Sequence, residues 1–228
     1  MHLELFELAE QGDADAQYHL GLMYEKGLNF KRNYIRAVQW YIKAAQQGHT
    51  EAQFNLGMLY KTGQTIEQDF TAAANWLKMS AENGHREAQL NLGELFEKGL
   101  GVQKDYSESV KWYSRAVGEG DAIAQFKIGE MYYNGDGVTQ EYSTAMRWFL
   151  MAAEQGDSSA QFRLGYMFEN GQGAQKNIPK AYFWYKILDA LGFNEANTIS
   201  LKLEKEMTSD QISHTQKLVE DWFKQNMQ

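Results

Sequence analysis

The chain has no cysteine, and Pro179 is the one proline among its 228 residues. Without cysteine it has neither a disulfide framework nor a thiol nucleophile. Because proline is so scarce, helices can run almost without interruption. No apolar stretch approaches the roughly 20 residues that are needed to cross a bilayer. We therefore expect a helical protein without membrane insertion.

Targeting signals and positive charge are also scarce. The first residues lack the basic flank and the apolar core of a secretory signal. We expect a cytoplasmic protein, and a periplasmic or secreted one if a signal peptide has been removed. The chain carries 22 basic and 30 acidic residues, a net charge of −8, and no run of lysine and arginine. Since phosphate backbones repel such a chain, we expect no nucleic-acid partner.

A spacing of 36 residues recurs along the whole chain. Tryptophan follows it at Trp40, Trp76, Trp112, Trp148 and Trp184. Glycine follows it at Gly48, Gly84, Gly120, Gly156 and Gly192. A fixed period of this size is typical of a solenoid, in which stacked units form one long surface.

Each repeat reads as a pair of helices. In the third repeat, apolar residues recur at helical spacing from Ala88 to Phe96, and Gly99 then ends that helix. A second apolar stripe follows from Tyr106 to Ala116. Neither helix of such a hairpin can bury its stripe alone, so neighbouring repeats must cover it. The predicted fold class is all-α, a solenoid of helix–turn–helix repeats.

The period also predicts how the chain is divided. We expect a single solenoid domain over 1–228, with an N-terminal capping helix at 1–12, five full repeats at 13–192, and a degenerate repeat with a capping helix at 193–228. A truncated longer array is the alternative at the N-terminus. Glycines in mid-helix, one per repeat, predict a close approach of the paired helices. They are Gly21, Gly57, Gly93, Gly129 and Gly165.

The C-terminal segment differs from the repeats. Thr208 to Gln211 fits a capping box. Ile212, Val219 and Trp222 then continue one apolar stripe. We expect this helix to cover the last hydrophobic face, and a free amphipathic helix is the alternative.

The repeated motifs resemble the SEL-one-like repeat (SLR) family, a relative of the tetratricopeptide repeat. The resemblance rests on Ala-Gln-aromatic-x-Leu-Gly-x-Met-Tyr at 16–24, on Gly-x-Gly-Val at 99–102 and 135–138, and on Trp-aromatic-x-x-Ala-Ala at 40–45 and 148–153. It implies a right-handed α/α superhelix whose first helices line a concave groove. It also implies an adaptor or scaffold in protein complexes, with bacterial regulatory, host-interaction and immunity-type proteins among such members.

Two features depart from the family pattern. Asn29 and Thr65 replace the second loop glycine of the first two repeats, so we expect those turns to differ in shape. The paired cysteines found in some family members are absent. Helix pairs must therefore be held by packing alone.

If the first helices line the groove, their outward positions are candidate partner-binding residues. The set contains an aromatic column, a variable column and several acids. Its members are Tyr18, Leu22, Phe54, Met58, Glu94, Glu97, Phe126, Glu130, Tyr133, Phe162 and Tyr166. Aromatic anchors flanked by charge are typical of peptide recognition. We expect a protein or peptide partner with basic and apolar residues.

Two alternatives remain open for this surface. The aromatic column could be half-buried between repeats and serve packing alone. The groove could also bind a small ligand or a cell-wall fragment by stacking on aromatic rings.

We expect a monomer, with an end-to-end dimer as the alternative.

The sequence gives little support to catalysis. His49 and His85 occupy the column where Asp13, Asp121 and Asp157 can cap helices. We interpret both histidines as helix caps, because no cysteine or third ligand accompanies them for a metal. No nucleophile elbow or similar motif is present. We expect a non-enzymatic protein without a cofactor.

Overall fold

The computed structural model describes residues 2–29, 31–118 and 120–226. Over these residues the chain forms thirteen α-helices and no strand, which confirms the predicted all-α class. Two compact units are present, Met1–Ala116 (unit 1) and Val117–Gln228 (unit 2). The single continuous domain expected over 1–228 stays a prediction, as does the handedness of the superhelix.

Successive helices of each unit alternate between the two halves of a repeat. Unit 1 contains α1 (His2–Glu10), α2 (Ala14–Lys26), α3 (Tyr34–Gln46), α4 (Thr50–Thr62), α5 (Phe70–Glu82), α6 (Arg86–Lys98) and α7 (Tyr106–Val117), which ends at the boundary. Unit 2 contains α8 (Ala122–Asn134), α9 (Tyr142–Glu154), α10 (Ser158–Asn170), α11 (Ile178–Ala190), α12 (Asn194–Glu204) and α13 (Ser209–Asn226).

Within each unit the hairpins stack on one another. In unit 1, α1 packs on α2, the pairs α2–α3 and α4–α5 meet through α3 and α4, and α5 packs on α6. In unit 2, the pairs α8–α9 and α10–α11 meet through α9 and α10. We call α2, α4, α6, α8 and α10 the first helices. This stacking is that of a solenoid.

The mid-helix glycines bring the paired helices close together, as predicted. A Cβ atom on Gly93 would lie 2.8 Å from the ring of Tyr113 on α7. A Cβ atom on Gly129 would lie 2.6 Å from the ring of Phe149 on α9. A glycine in mid-helix costs about 1 kcal/mol relative to alanine. Close packing of a large side chain against the bare backbone compensates for that cost.

The two atypical loops behave differently from each other. Asn29 has a φ of 61°, close to the 69° of Gly101 in the third repeat, so the first turn keeps the left-handed conformation. The expected change of shape is wrong at this position, because asparagine tolerates that conformation. Among the described residues other than glycine, Asn29 alone has a positive φ, so the turn at Thr65 does differ.

The C-terminal helices cover the last repeat. The Thr208 hydroxyl accepts a hydrogen bond from the Gln211 backbone N–H at 3.3 Å, and the Gln211 side chain accepts one from the Thr208 N–H at 2.9 Å. This reciprocal pair is the predicted capping box. Both α12 and α13 pack on α11, and Val219 is buried in the core of unit 2. This packing agrees with a capping role, and the division of the chain into repeats and capping segments stays a prediction.

Candidate functional site

The eleven candidate residues all lie on first helices. Unit 1 carries Tyr18 and Leu22 on α2, Phe54 and Met58 on α4, and Glu94 and Glu97 on α6. Unit 2 carries Phe126, Glu130 and Tyr133 on α8, and Phe162 and Tyr166 on α10. Tyr166 is exposed, and the other ten are half-buried. A groove formed by the whole set stays a prediction.

The aromatic column contributes to packing in both units. The ring of Tyr18 stacks on that of His49 with centroids 4.4 Å apart, and Phe54 stacks on His85 at 4.3 Å. In unit 2, Phe162 meets Tyr185 edge-on at 5.5 Å. The column consists of positions 18, 54, 90, 126 and 162, and these contacts explain why four of the five residues are aromatic. They leave part of each ring available to a partner.

Both histidines cap helices, as predicted. The Nδ1 atom of His49 accepts a hydrogen bond from the Ala52 backbone N–H at 3.2 Å. Since Nδ1 accepts, the ring proton of the neutral form is on Nε2, which lies 3.3 Å from a carboxylate oxygen of Asp15. His85 repeats this arrangement, with its Nε2 3.3 Å from Glu51. The exposed carboxylates of Asp15 and Glu51 therefore orient the rings of the two capping histidines.

Glu94 and Glu130 occupy the same position in successive repeats, and each is paired with a cation of an adjacent repeat. Glu94 on α6 forms ion pairs with Lys61 on α4 and, at 2.5 Å, with Lys98 on its own helix. Glu130 on α8 pairs with Arg163 on α10 at 2.7 Å. From sequence alone these acids were expected to concentrate negative charge. In the structure much of that charge is balanced, because Lys61 and Arg163 each lie one repeat away from their acid on the same face.

Glu97 serves a structural purpose as well. It accepts a hydrogen bond of 2.7 Å from the hydroxyl of Tyr113, which is buried on α7. The same pairing joins Glu25 to Tyr41 at 2.5 Å. Burial, followed by the hydrogen bond to Glu97, raises the pKa of Tyr113 well above its ordinary value, so its hydroxyl stays protonated and must donate.

The glutamate is present on the first helix only where the second helix has a tyrosine 16 residues later. Where that helix has Phe149 in place of tyrosine, the first helix has Tyr133 at the position of the glutamate. The acid is therefore present where a buried hydroxyl needs an acceptor. Comparing positions 16 residues apart along the repeats would have revealed this rule from the sequence.

Unit 2 exposes apolar side chains on its first helices. Ile123 on α8 is 57% exposed and Tyr166 on α10 is 40% exposed. Among the described residues of α2, α4 and α6 in unit 1, no large hydrophobic side chain reaches such exposure. Among the described residues of the first helices, large apolar side chains that are exposed thus lie in unit 2.

A cleft of about 460 Å³ opens on this face of unit 2. Its walls are apolar, with serine hydroxyls and one guanidinium at the rim. The lining residues are Phe126, Ser158, Ser159, Phe162, Arg163, Leu188 and Phe193. Phe126 and Phe162 are among the residues predicted from the sequence, whereas Phe193 is not. The signal was available, because Phe193 stands in the column where Asp13 and its counterparts cap helices.

In the described part of the chain, no three His, Asp or Glu side chains are grouped so that they could hold a metal ion. The helices of residues 2–29, 31–118 and 120–226 include none with the length and apolar character of a membrane span.

Sel1 repeats match the chain at residues 14–49, 50–85, 86–121, 122–157 and 158–187. The chain belongs to the Sel1 repeat family. Members of this family are generally scaffolds for protein–protein interaction. The resemblance to SEL-one-like repeats is thereby confirmed. The comparison with curated proteins gave no match.

Solved structures that are similar to this chain include two bacterial repeat proteins. A protective antigen of uropathogenic Escherichia coli strains, which displays an SLR fold, has 35% sequence identity and a TM-score of 0.83, covering 89% of this chain and 44% of its own. This chain therefore spans less than half the length of that antigen. A Sel1 repeat protein from Oxalobacter formigenes has 35% identity and a TM-score of 0.74, covering 81% of this chain and 82% of its own.

Proposed function

We propose that this protein is a non-catalytic protein–protein interaction adaptor. It binds a peptide segment or a partner protein through the outward faces of its first helices. Family membership supports the class of function. The exposed apolar side chains on α8 and α10, beside the cleft at Phe126 and Phe162, are the observation that carries the proposal. Exposed apolar patches on otherwise polar helices mark interaction sites.

The partner combines apolar and basic residues. The apolar residues contact the first-helix face of unit 2, where Ile123 and Tyr166 are exposed. Basic residues of the partner are attracted by the net charge of −8 that this chain carries. The acids Glu94 and Glu130 contribute less than sequence alone indicated, because each already has a cationic partner.

We further propose a cytoplasmic monomer, with an end-to-end dimer as the alternative. A host-interaction role is a narrower version of the proposal, supported by the likeness to an antigen of uropathogenic strains. Light scattering at high protein concentration distinguishes monomer from dimer.

Binding of a small ligand or a cell-wall fragment is the second candidate. The cleft volume of about 460 Å³ lies within the usual range for small-molecule sites. Such sites are closed and have polar groups that converge on the ligand. This cleft is open, and its one charged side chain, Arg163, is already paired with Glu130, which favours the adaptor.

The experiment compares the parent protein with Ile123→Ser/Tyr166→Ser in a pull-down from lysate of the cells that produce it. Met151→Ser/Leu201→Ser is the matched control, since these apolar side chains are similarly exposed on α9 and α12 of the same unit. A partner protein retained by the parent and the control, and lost by the first variant, supports the proposal. A partner retained by all three proteins refutes the assignment to this face.

A further inference from the structure

The turn after α11 differs at two positions from the turn after α9, which is its counterpart one period earlier. In the turn after α9, the Gln155 side chain donates a hydrogen bond of 2.8 Å to Gln125, and Asp157 caps α10 by accepting from the Ala160 N–H at 2.7 Å. One period later, in the turn after α11, Leu191 and Phe193 occupy these positions.

Both substitutions remove a polar contact. The Oε1 atom of Gln161, the counterpart of Gln125, is fully buried and has no hydrogen-bond partner among the described residues. Phe193 precedes α12 and gives it no side-chain cap within the described chain. An unsatisfied buried acceptor and a missing cap each reduce the stability of the fold.

The shape of the turn does not require these residues. Leu191 has φ and ψ of −83° and 0°, and Gln155 has −87° and 3°. The glycines that follow have φ of 92° at Gly192 and 90° at Gly156. The backbone of both turns is therefore nearly the same, and glutamine and aspartate fit the later turn as they fit the earlier one.

The side chains of Leu191 and Phe193 are not buried in the core. Leu191 is 36% exposed and Phe193 is 47% exposed. Phe193 lies between the cleft already described and a second one of about 590 Å³. The second cleft is lined by Glu154, Gln155, Gly156, Ser158, Leu191, Phe193, Trp222 and Asn226. The turn thus loses polar contacts without gaining full burial, which is a pattern expected at functional positions.

The charge at the second cleft is negative. Glu154 is exposed at its rim, and within the described residues its carboxylate has no ion pair or hydrogen bond. Glu154 is also the one charged residue that lines this cleft. The cleft therefore complements a cation on an occupant.

We propose that the turn from Leu191 to Phe193, together with Trp222, is a docking site for a protein segment. The segment presents two large apolar side chains, one to each cleft, and a basic residue to Glu154. This inference rests on the proposed adaptor function and extends its binding surface from the first cleft to the turn after α11. Apolar anchors in neighbouring clefts supply affinity, and the charge fixes the direction of the segment.

The decisive variant is Leu191→Gln/Phe193→Asp, which installs the residues that stand one period earlier. A phage-displayed library of random peptides is selected on the parent protein, and selected peptides are synthesised and titrated against each variant. We expect peptides rich in pairs of Phe, Trp or Leu beside Lys or Arg. We expect the double variant to bind them at least tenfold more weakly, while its melting temperature rises.

The rise in melting temperature separates docking from structural roles. Recovery of the cap or of the hydrogen bond should raise the melting temperature by about 2–4 °C for a chain of this size. Leu201→Gln, equally exposed on α12, is the control and should leave binding unchanged. Glu154→Gln should weaken binding at low salt and have little effect at high salt. The two single variants at 191 and 193 are measured alongside, in case the pair together impairs folding.

Several results would overturn the inference. A melting temperature that falls in the double and both single variants means that the apolar pair serves the core. Peptides that bind parent and double variant equally, but are lost by Ile123→Ser/Tyr166→Ser, leave the adaptor function standing and refute this site. Peptides without a basic residue, a library that yields no binder, or a parent that dimerises while the double variant stays monomeric would each refute the stated occupant.

Discussion

The hydroxyl of Tyr113 donates a hydrogen bond of 2.7 Å to Glu97, which lies 16 residues earlier on the first helix of the same repeat. Tyr113 is buried, and its ring fills the space that Gly93 leaves open. One glutamate thus satisfies the polar end of a side chain whose ring holds the two helices together. The equivalent pair at the end of the array, Glu169 and Tyr185, is longer at 3.4 Å.

Glu97→Ala should destabilise the fold by about 1–3 kcal/mol, because it leaves a buried hydroxyl without this acceptor. Tyr113→Phe in the same chain should recover most of the loss, since it removes the group that needs an acceptor. Repeat 4 provides the precedent, with Phe149 buried at the corresponding position. Urea unfolding of the four proteins of this cycle measures the coupling.

Glu87→Ala is the control for that cycle, because Glu87 is an exposed acid on the same helix. It should change the free energy of unfolding by less than about 0.5 kcal/mol. Equal losses from Glu97→Ala with and without Tyr113→Phe would contradict the assigned pairing.

The amide pair of Gln125 and Gln155 supports a second prediction. Gln155→Leu should cost about 1–3 kcal/mol, because the Gln125 carbonyl would become a buried acceptor without its donor. Gln155→Asn should cost less, since repeat 2 uses Asn83 for the same contact at 3.3 Å. Thermal melts of the two variants test this order, and a leucine variant as stable as the parent would refute it.

The repeat period predicts the helices and their caps because those depend on local sequence. Asp13 and His49 each stand just before a first helix, and each accepts a hydrogen bond from a backbone N–H three residues later. The period also places the candidate residues on the first helices. Local rules and tandem recurrence are enough for this part of the fold.

The pairing of side chains across repeats was not predicted. Lys61 and Glu94 are 33 residues apart, and their contact depends on how α4 and α6 are aligned. Arg163 and Glu130 are separated by the same interval. A sequence pattern fixes which face each residue occupies, but not whether a long flexible side chain reaches the next helix. The charge of the surface was therefore overestimated from sequence.

Gly93→Ala should destabilise the protein although alanine is the better helix former. The helix propensity gained is about 1 kcal/mol. The new methyl carbon would lie 2.8 Å from the Tyr113 ring, and overpacking of this kind costs about 1–3 kcal/mol or more. We expect a net loss in the free energy of unfolding, measured by urea denaturation. A stabilised variant would show that α6 and α7 can separate freely.

The stability that depends on Glu94 should vanish at low pH. Burial alone would raise the pKa of this carboxyl, but hydrogen bonds from Lys61 and Lys98 outweigh burial and hold its pKa below the usual value. A lowered pKa in the folded state means that the charged form stabilises the fold. This contribution is complete above the unfolded pKa of about 4.3 and is lost as pH falls through the lower folded value.

Glu94→Gln tests this directly. At neutral pH it should cost less than about 1 kcal/mol, since the pair is partly exposed and screened by solvent. Urea unfolding at pH 7, 5, 4 and 3 should show the gap between parent and variant narrowing as pH falls below about 4, because Glu94 is then progressively protonated and becomes neutral like glutamine. Lys61→Met should show the same closing gap, because it removes the other half of the pair. A gap that stays constant down to pH 3 would mean that Glu94 acts through its shape and not through its charge.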